Sequence, residues 1–422
     1  MPNKIYDIII VGSGISGLYS AYNILKKSPK TSFLILEKYK KKWIGGRMNN
    51  ENFYGVQVVT GAGIGRNDTN PLLIKLLKEL HVPYKKSVSI MNYSKLLPQH
   101  SEFDVVKVID HLKKEYNKNP SLYKNLTFKE FATRIMGDVN YKLFTIYAGY
   151  TDYEKADVYE TLYNYGMDDN KGGWPILYIP WKELVHHLCD IIGYSNIKTS
   201  NNVISVSKIS DSGERCLFEI ATAEDNKYYC NKVIIATTIT GILKLVPGAS
   251  KPNSPYQQIH GQPFLRLYAK FDRKSTEILK KNIRNYTIVP GPLQKIIPMD
   301  AEKGVYMIAY SDNENAVLLK DHLKNTFKNR KLYETLVEQS LGLPQKSLHI
   351  IEIKDFYWPV GTHYYEPLRG VKNREEFIYK VQHPMEGMLV VGEAVCTYQG
   401  WSEGALESVE TVLNKTWIET IC

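Results

Sequence analysis

Long apolar runs are missing from this sequence. Crossing a bilayer as a helix takes roughly 18–20 consecutive apolar residues, and the longest candidates, Ile8–Val11 and Met388–Val391, are only strand-sized. Cysteine is scarce. The five present, Cys189, Cys216, Cys230, Cys396 and Cys422, are odd in number, scattered and never in C-x-x-C spacing. This argues against a disulfide framework and a zinc site and leads us to expect a reducing compartment, the cytoplasm. No secretory signal is expected either. Asp7 stands just before Ile8, Ile9 and Ile10 and glycines follow at once, with no longer apolar stretch and no small-residue cleavage site. Internal repeats, low-complexity tracts and Gly/Ser linkers are also lacking.

What is present suits a folded protein. A chain of 422 residues is long enough for two or three domains. A hydrophobic fraction of 43% against 23% charged residues supplies apolar surface for a large core and excludes disorder over most of the length. Lys+Arg 54 against Asp+Glu 44 leaves a net charge of +10. The lysines are spread along the chain, and the one cluster, Lys38 with Lys40–Lys42, is short. We read them as solvation, so that a nucleic-acid partner is the weakest of the readings.

The start of the chain is the clearest segment. Tyr6–Val11 reads as a short buried strand, being continuous and β-branched, and Gly12–Gly17 as a turn. Leu18–Lys27 has helical spacing through Leu18, Ala21, Tyr22 and Leu25, and Thr31–Leu36 is a second strand ending at Glu37. A strand–turn–helix–strand unit of this kind implies a parallel sheet. Asp68–Leu80 reads as a helix with Asn70 as cap and Pro71 in its first turn. Residues from about 101 to 187 read as a mostly helical insertion, and about 197–236 as strands and turns. Phe264–Phe271, Gly304–Tyr310, Leu348–Asp355 and Met388–Val391 read as strands, and Gly404–Glu419 as a final helix. A nucleotide-binding sheet is therefore begun at one end of the chain and finished at the other.

Chemistry concentrates in the glycine-rich turns. Gly12, Gly14 and Gly17 fit G-x-G-x-x-G between a strand and a helix. The first permits the tight turn, the second lets a pyrophosphate approach the backbone, and the third lets helix and strand pack closely. The helix N-terminus offers free N–H groups to the phosphates, with Ser16 in the glycine turn that leads into it. Glu37 stands 20 residues beyond Gly17, followed by Lys38, and a carboxylate there suits ribose hydroxyls. Gly45-Gly46-Arg47 adds backbone donors and a fixed cationic fork. Near the other end, Gly392-Glu393 follows a strand, and the stretch Gln399, Gly400, Trp401, Ser402, Glu403, Gly404, Ala405 leads into a helix, its small residues permitting close contact with a cofactor.

With these pieces the sequence resembles the flavin-containing amine oxidase family. The matching elements are the stretch from Asp7 to Gly17, Glu37 with Gly45-Gly46-Arg47, Gly61-Ala62, Gly172-Gly173, the strand at Val203, Trp358 with Gly361, and Gly392-Glu393 through Ser408, in the family's order along essentially the whole chain. The resemblance implies FAD and an α/β fold: a Rossmann-type FAD-binding domain from about 1–90, 190–260 and 370–422, interleaved with an α+β substrate domain from about 91–189 and 261–369. It implies that Gly12, Gly14, Ser16, Gly17, Glu37, Lys38, Gly46 and Arg47 hold the ADP half and pyrophosphate, with Val203 at the adenine end. It sets Glu393 near the ribitol and pyrophosphate, and Gly392, Gly400, Trp358 and Ala405 about the flavin. Trp401 falls where the family has an aromatic residue in front of the flavin, and Tyr364 resembles the opposite wall, so that a small amine would lie between two rings in a dry slot that lowers its pKa.

The implied activity is FAD-dependent amine oxidation: hydride transfer from the carbon bearing nitrogen, imine hydrolysis, and electrons passed to molecular oxygen. Two departures bear on it. Arg266 takes the place of a lysine that in the family reaches flavin N5 through water, while Lys270, four residues on, lies about 13 Å further along the same face. An arginine holds its proton where a lysine can release one. Val409 stands where the last helix usually has glycine. His363, before Tyr364, falls where some members carry a cysteine bonded to the flavin; a covalent link, a site-lining role and simple packing all stay open. Arg66 lies near the region where amino-acid oxidases place a carboxylate-binding arginine, with different spacing, so a structural or flavin-side role is expected. Alternatives for the whole chain are a related flavoenzyme with another reaction, such as a desaturase, and a flavin-binding interaction protein without activity.

Overall fold

In a computed structural model of the chain, residues 4–97, 104–166, 173–210 and 217–420 are described. Gly172, Cys216 and Cys422 lie outside them. The fold is α/β, with a Rossmann-like sheet, a second mainly antiparallel sheet and a helical insertion.

The isoleucine run makes strand β1 (Ile5–Val11), which lies between β2 (Phe33–Leu36) and the strand Lys227–Ile235, parallel to both. Side chains alternate across a strand, so Ile8 and Ile10 enter one core, with helix α1 (Ile15–Lys27), while Ile9 and Val11 enter the other with Phe218, Ile220 and Val390. Both faces are covered, which is why the run is apolar without alternation. The strand Met388–Val390 pairs in parallel with Val233–Ile235, so the sheet begun at the N-terminus does end near the C-terminus.

The helix begins earlier than its periodicity predicts, at Ile15, with Gly14 extended at the N-cap, so that Gly17 lies within the first turn. The last helix is two, Ser402–Val412 and Lys415–Glu419, because Asn414 accepts the Trp417 N–H and starts a new helix. Val409 is fully buried beside the residues of α1.

The second sheet runs in the order Ile350–Tyr365, Ile259–Phe271, Val305–Asp312, Lys295–Asp300, Tyr286–Ile288 and Met91–Tyr93. The insertion is helical from Val105 to Tyr163 around a core of its own, including Phe128, Phe131 and Phe144. It is not helical throughout. Trp174–Tyr178 is a strand that pairs with Lys85–Ser89 and Gly65–Arg66, and the helix Trp181–Ile192 packs its Leu184, Val185 and Leu188 into the core of α1. Among the described residues no helix is long and apolar enough to cross a membrane, and no cluster of His, Cys, Asp or Glu could hold a metal ion.

Helix α2 (Pro71–Glu79) shows how distant segments complete local structure. Asn70 stands at its N-cap but makes no side-chain cap; its Oδ1 accepts the Arg66 N–H instead. The free N–H groups of Leu72 and Leu73 donate to the carboxylate of Glu403, 2.8 and 3.0 Å away, from the far end of the chain. Glu403→Ala should therefore destabilise the protein by about 1 kcal/mol, as loss of a cap does. Hydrogen exchange should speed up at Leu72 and Leu73 in particular.

Candidate functional site

The turn between β1 and α1 leaves one side open. A Cβ on Gly12, whose φ is +107°, would lie 2.5 Å from the carbonyl oxygen of Ala236, and one on Gly17 would fall on the carbonyl of Gly12. Those two glycines are needed by the protein's own packing. A Cβ on Gly14 would meet no atom within 4 Å, so its openness serves no internal contact and leaves room for a ligand at the helix N-terminus. Gly46, with φ +59°, approaches the Cα of Gly14, and Ser16 is buried in the first turn.

Glu37 is buried, and its carboxylate accepts the Ser13 N–H at 2.8 Å, the Ser13 hydroxyl at 2.7 Å and the Tyr39 N–H at 2.8 Å. Three of roughly four acceptor positions are thus used within the protein. Lys38 is exposed, its Nζ 5.4 Å from the ring of Tyr39. Val203 is buried just after Ser200 and Asn201, whose N–H groups bond the carbonyls of Tyr39 and Glu37.

The second half of the site gathers on Glu393. Gly392 has φ +123°, its N–H donates to the Ser408 hydroxyl, and a Cβ there would lie 3.3 Å from Ser16 Oγ, joining this turn to the start of α1. The buried Glu393 carboxylate accepts on one oxygen from the N–H groups of His363 at 2.8 Å and Gly400 at 2.7 Å. On the other it meets Arg47 at 3.1 Å and His363 Nδ1 at 2.5 Å. Arg47 also donates to the Gly361 carbonyl at 2.6 Å. Burial alone would raise Glu393, but His363 and Arg47 outweigh it and hold the carboxyl at about 2. The Ile239 N–H donates to His363 Nε2 at 3.0 Å, which assigns the ring proton to Nδ1. Both ring nitrogens are committed, and neither is free to form a link to a cofactor.

Beyond this junction lies a cluster of aromatic and charged side chains, here termed the chamber. The Trp401 indole donates to the Tyr165 carbonyl at 3.2 Å, and the Arg66 guanidinium lies 3.8 Å over its ring. Tyr364 is half-buried with its ring 5.1 Å from that of His260. Among the described ring contacts Trp401 meets Trp174, and Trp401 and Tyr364 do not meet each other. Trp358 donates to the Thr60 carbonyl and packs edge-on against Trp43. Ala405 is buried in the helix after Trp401, whereas Gly404 is required by its own packing against Tyr398 and Cys396. Arg266 is buried, donates from Nε to the Gly61 carbonyl at 2.7 Å, and lies 4.1 Å from the Tyr310 ring. Lys270 instead reaches the Lys303 carbonyl at the exposed end of the strand.

Four polar residues of this chamber escape sequence reasoning: Asp152, Tyr165, Lys295 and Asp312. Tyr165 donates to Asp152 at 2.5 Å. Asp152 is pushed up to about 7 by burial and by Asp312, against the pull of Tyr165 and Lys295. Burial lowers Lys295 to about 7 against the pull of Asp312 and Asp152. The one signal in the sequence is Lys295 itself, a lone cation ahead of Ile296 and Ile297 in a strand.

Gly14→Ala should leave stability within about 0.5 kcal/mol of the parent, since nothing fills the space beside it, and should abolish dinucleotide retention. Gly17→Ala should instead cost about 1–3 kcal/mol through overpacking. Chemical denaturation read beside the absorbance of bound nucleotide separates the two. Glu393 has a folded pKa below its ordinary 4.5, so its contribution is full above that value and is lost as pH falls toward about 2. Glu393→Gln should lose about 3 kcal/mol at neutral pH and show a flatter stability profile across that acid window.

Residues 10–80 match the model of the NAD(P)-binding Rossmann-like domain. No curated protein matches the chain by sequence. Among solved structures, cyclohexylamine oxidase from Brevibacterium oxydans IH-35A is similar with a TM-score of 0.75 at 14% identity, over 98% of this chain and 99% of that one. A putrescine oxidase triple mutant from a redesign of cofactor binding gives 0.71 at 14% identity, over 96% and 97%. A second putrescine oxidase variant gives 0.73 at 13% identity, over 99% of both chains. From end to end, this chain has the fold of putrescine oxidase and cyclohexylamine oxidase.

Proposed function

We propose that the chain is an FAD-dependent oxidoreductase acting on the CH–NH2 or CH–NH group of a small amine. The observation that supports this most is the Glu393 junction. It fastens Arg47, His363 and Gly400 into one buried unit, tied through Gly392 to Ser16 at the start of α1 and through Gly400 to the adjoining Trp401. A glycine turn open at a helix N-terminus and a junction that ties it to a cluster of aromatic and charged side chains suit a dinucleotide with a reactive end.

The residues present fit FAD. Gly12, Gly14, Ser16, Gly17, Gly46 and Arg47 would hold the pyrophosphate, Glu37 and Val203 the adenosine, and Gly392, Glu393, Gly400, Trp358 and Ala405 the flavin half. Glu37 keeps roughly one acceptor position for a ribose hydroxyl. When bound, FAD would supply the hydride acceptor, with molecular oxygen as the final electron acceptor and hydrogen peroxide as the product. The chain's own work is to bind, orient and dry the amine, and water then hydrolyses the imine. Arg66 covers one face of Trp401, so the indole would offer the amine its other face; Tyr364 lies opposite His260, six residues along the strand from Arg266, and does not form the opposite wall of a slot with Trp401. Arg266 contributes fixed positive charge and hydrogen-bond donors at the Gly61 turn.

Anaerobic mixing with a panel of monoamines, diamines and amino acids tests the reading. The yellow holoprotein should be bleached by one class, and air should then restore the colour with release of peroxide. A protein that holds FAD and is bleached by none would instead be a homologue with another or no activity, a reading that Arg266 favours. Trp401→Ala should slow bleaching roughly 10²-fold, as misplacement of a substrate does, while retaining FAD. Equal loss of both would make Trp401 a cofactor-packing residue.

A further inference from the structure

Lys295 is a buried amine without a hydrogen-bond partner. It is fully buried, and its Nζ bonds no described residue. The Nζ lies 3.0 Å from the ring centroid of Tyr150 and 4.2 Å from that of Tyr310. The charged and titratable groups around it come from every neighbouring element: Tyr150 and Asp152 after the helix Asp138–Ala148, Tyr310 and Asp312 on the Val305–Asp312 strand, and Arg266 on the Ile259–Phe271 strand. Neither carboxylate is spent on it. Asp312 accepts from the Thr151 N–H and hydroxyl and from Gln294, all within 2.9 Å. Asp152 accepts from Tyr165 and, at 3.5 Å, from Thr362.

Buried polar groups are ordinarily hydrogen-bonded, and one that is not calls for a cause. A methionine would fill the same space between the rings without stranding a polar atom. The position is tied to the cofactor side by two threads. Through Tyr310 it adjoins Arg266, which holds the Gly61 turn; through Asp152 it adjoins Tyr165, whose carbonyl receives the Trp401 indole.

We propose that Lys295 accepts the proton that an incoming substrate ammonium must lose before its carbon can release hydride, an inference that rests on the reading of the chain as an amine oxidoreductase. An N–H bond of the substrate breaks and one forms on Nζ, which the Tyr150 and Tyr310 rings enclose, so that a ring must turn aside for the two to meet. No electrons change hands, and the charge of chamber plus substrate is unchanged. The surroundings suit both states. Burial and Arg266 favour the neutral amine, while the two tyrosine rings and the carboxylates of Asp152 and Asp312 favour the ammonium; the balance lies at about 7, so both forms are present near neutral pH. Asp152, near neutrality itself, can then take the proton over.

Two measurements on the FAD-loaded protein test this. With lysine labelled at the ε-carbon, the NMR signal missing from Lys295→Met should titrate near neutral pH, while exposed lysines titrate at about 10. In anaerobic single turnover with a primary amine, Lys295→Met should bleach roughly 10²-fold more slowly than the parent near pH 7. That gap should close as pH rises toward the substrate's own pKa, because the amine then arrives neutral. Lys295→Gln serves as the second variant where methionine impairs folding. A signal titrating near 10, or a deficit equal at every pH, overturns the proposal and leaves Lys295 a packing residue. If the parent is bleached by an amine but the variants follow its pH profile, the proposal alone fails. If no amine bleaches the parent at any pH, the amine reading fails and takes the proposal with it.

Discussion

One buried carboxylate holds the two ends of this protein together. Glu393 lies on the turn after the last strand of the sheet, and its bonds reach Arg47 from the N-terminal segment, His363 from the long strand of the second sheet and Gly400 from the loop ahead of the last helices. Desolvating a carboxylate is costly, and the cost is met only because a cation and several N–H donors converge on it. The same convergence dictates the site. Arg47 must lie against the Gly361 carbonyl, His363 must use both ring nitrogens, and Gly400 must take a positive φ to present its N–H. The turn at Gly392 reaches the start of α1 at Ser16, and Gly400 leads directly to Trp401, so the segments at both ends share this anchor.

The chamber is organised by charge as well as by aromatic rings. Arg66 on the face of Trp401, Arg266 against Tyr310, and Lys295 between Tyr150 and Tyr310 each set a cation or amine on a ring. Asp152 and Asp312 sit among them. Such packing in a low dielectric makes protonation states interdependent, and Asp152 and Lys295 are driven from opposite directions toward neutrality.

Much of this was legible in the sequence, and where it was, the cause was local. The isoleucine run, the spacing of Gly12, Gly14 and Gly17, and the placing of Glu37 each express a steric need of one turn or one strand. The parallel sheet and its completion by Met388–Val390 followed from those. Errors came where a distant segment overrode a local signal. Asn70 stands at the cap as the sequence reads, but its side chain makes no cap bond, and Glu403 takes the free N–H groups from across the fold. Trp174–Tyr178 sat in helical surroundings and became a strand because Lys85–Ser89 offered it an edge. Gly404–Glu419 read as one helix until Asn414 restarted it.

The amino-acid order alone thus determined the glycine turn and the α/β class, since each depends on residues within one supersecondary unit whose backbone demands are met by glycine and β-branched side chains. Only the tertiary structure decided which charges share a chamber. Asp152, Lys295, Arg266 and Asp312 are spread over 160 positions and carry no common motif. Their meeting is set by sheet register, which places Arg266 opposite Tyr310 and Phe264 opposite Asp312. Burial then gives the amine and the carboxylate properties that neither residue has in an open chain.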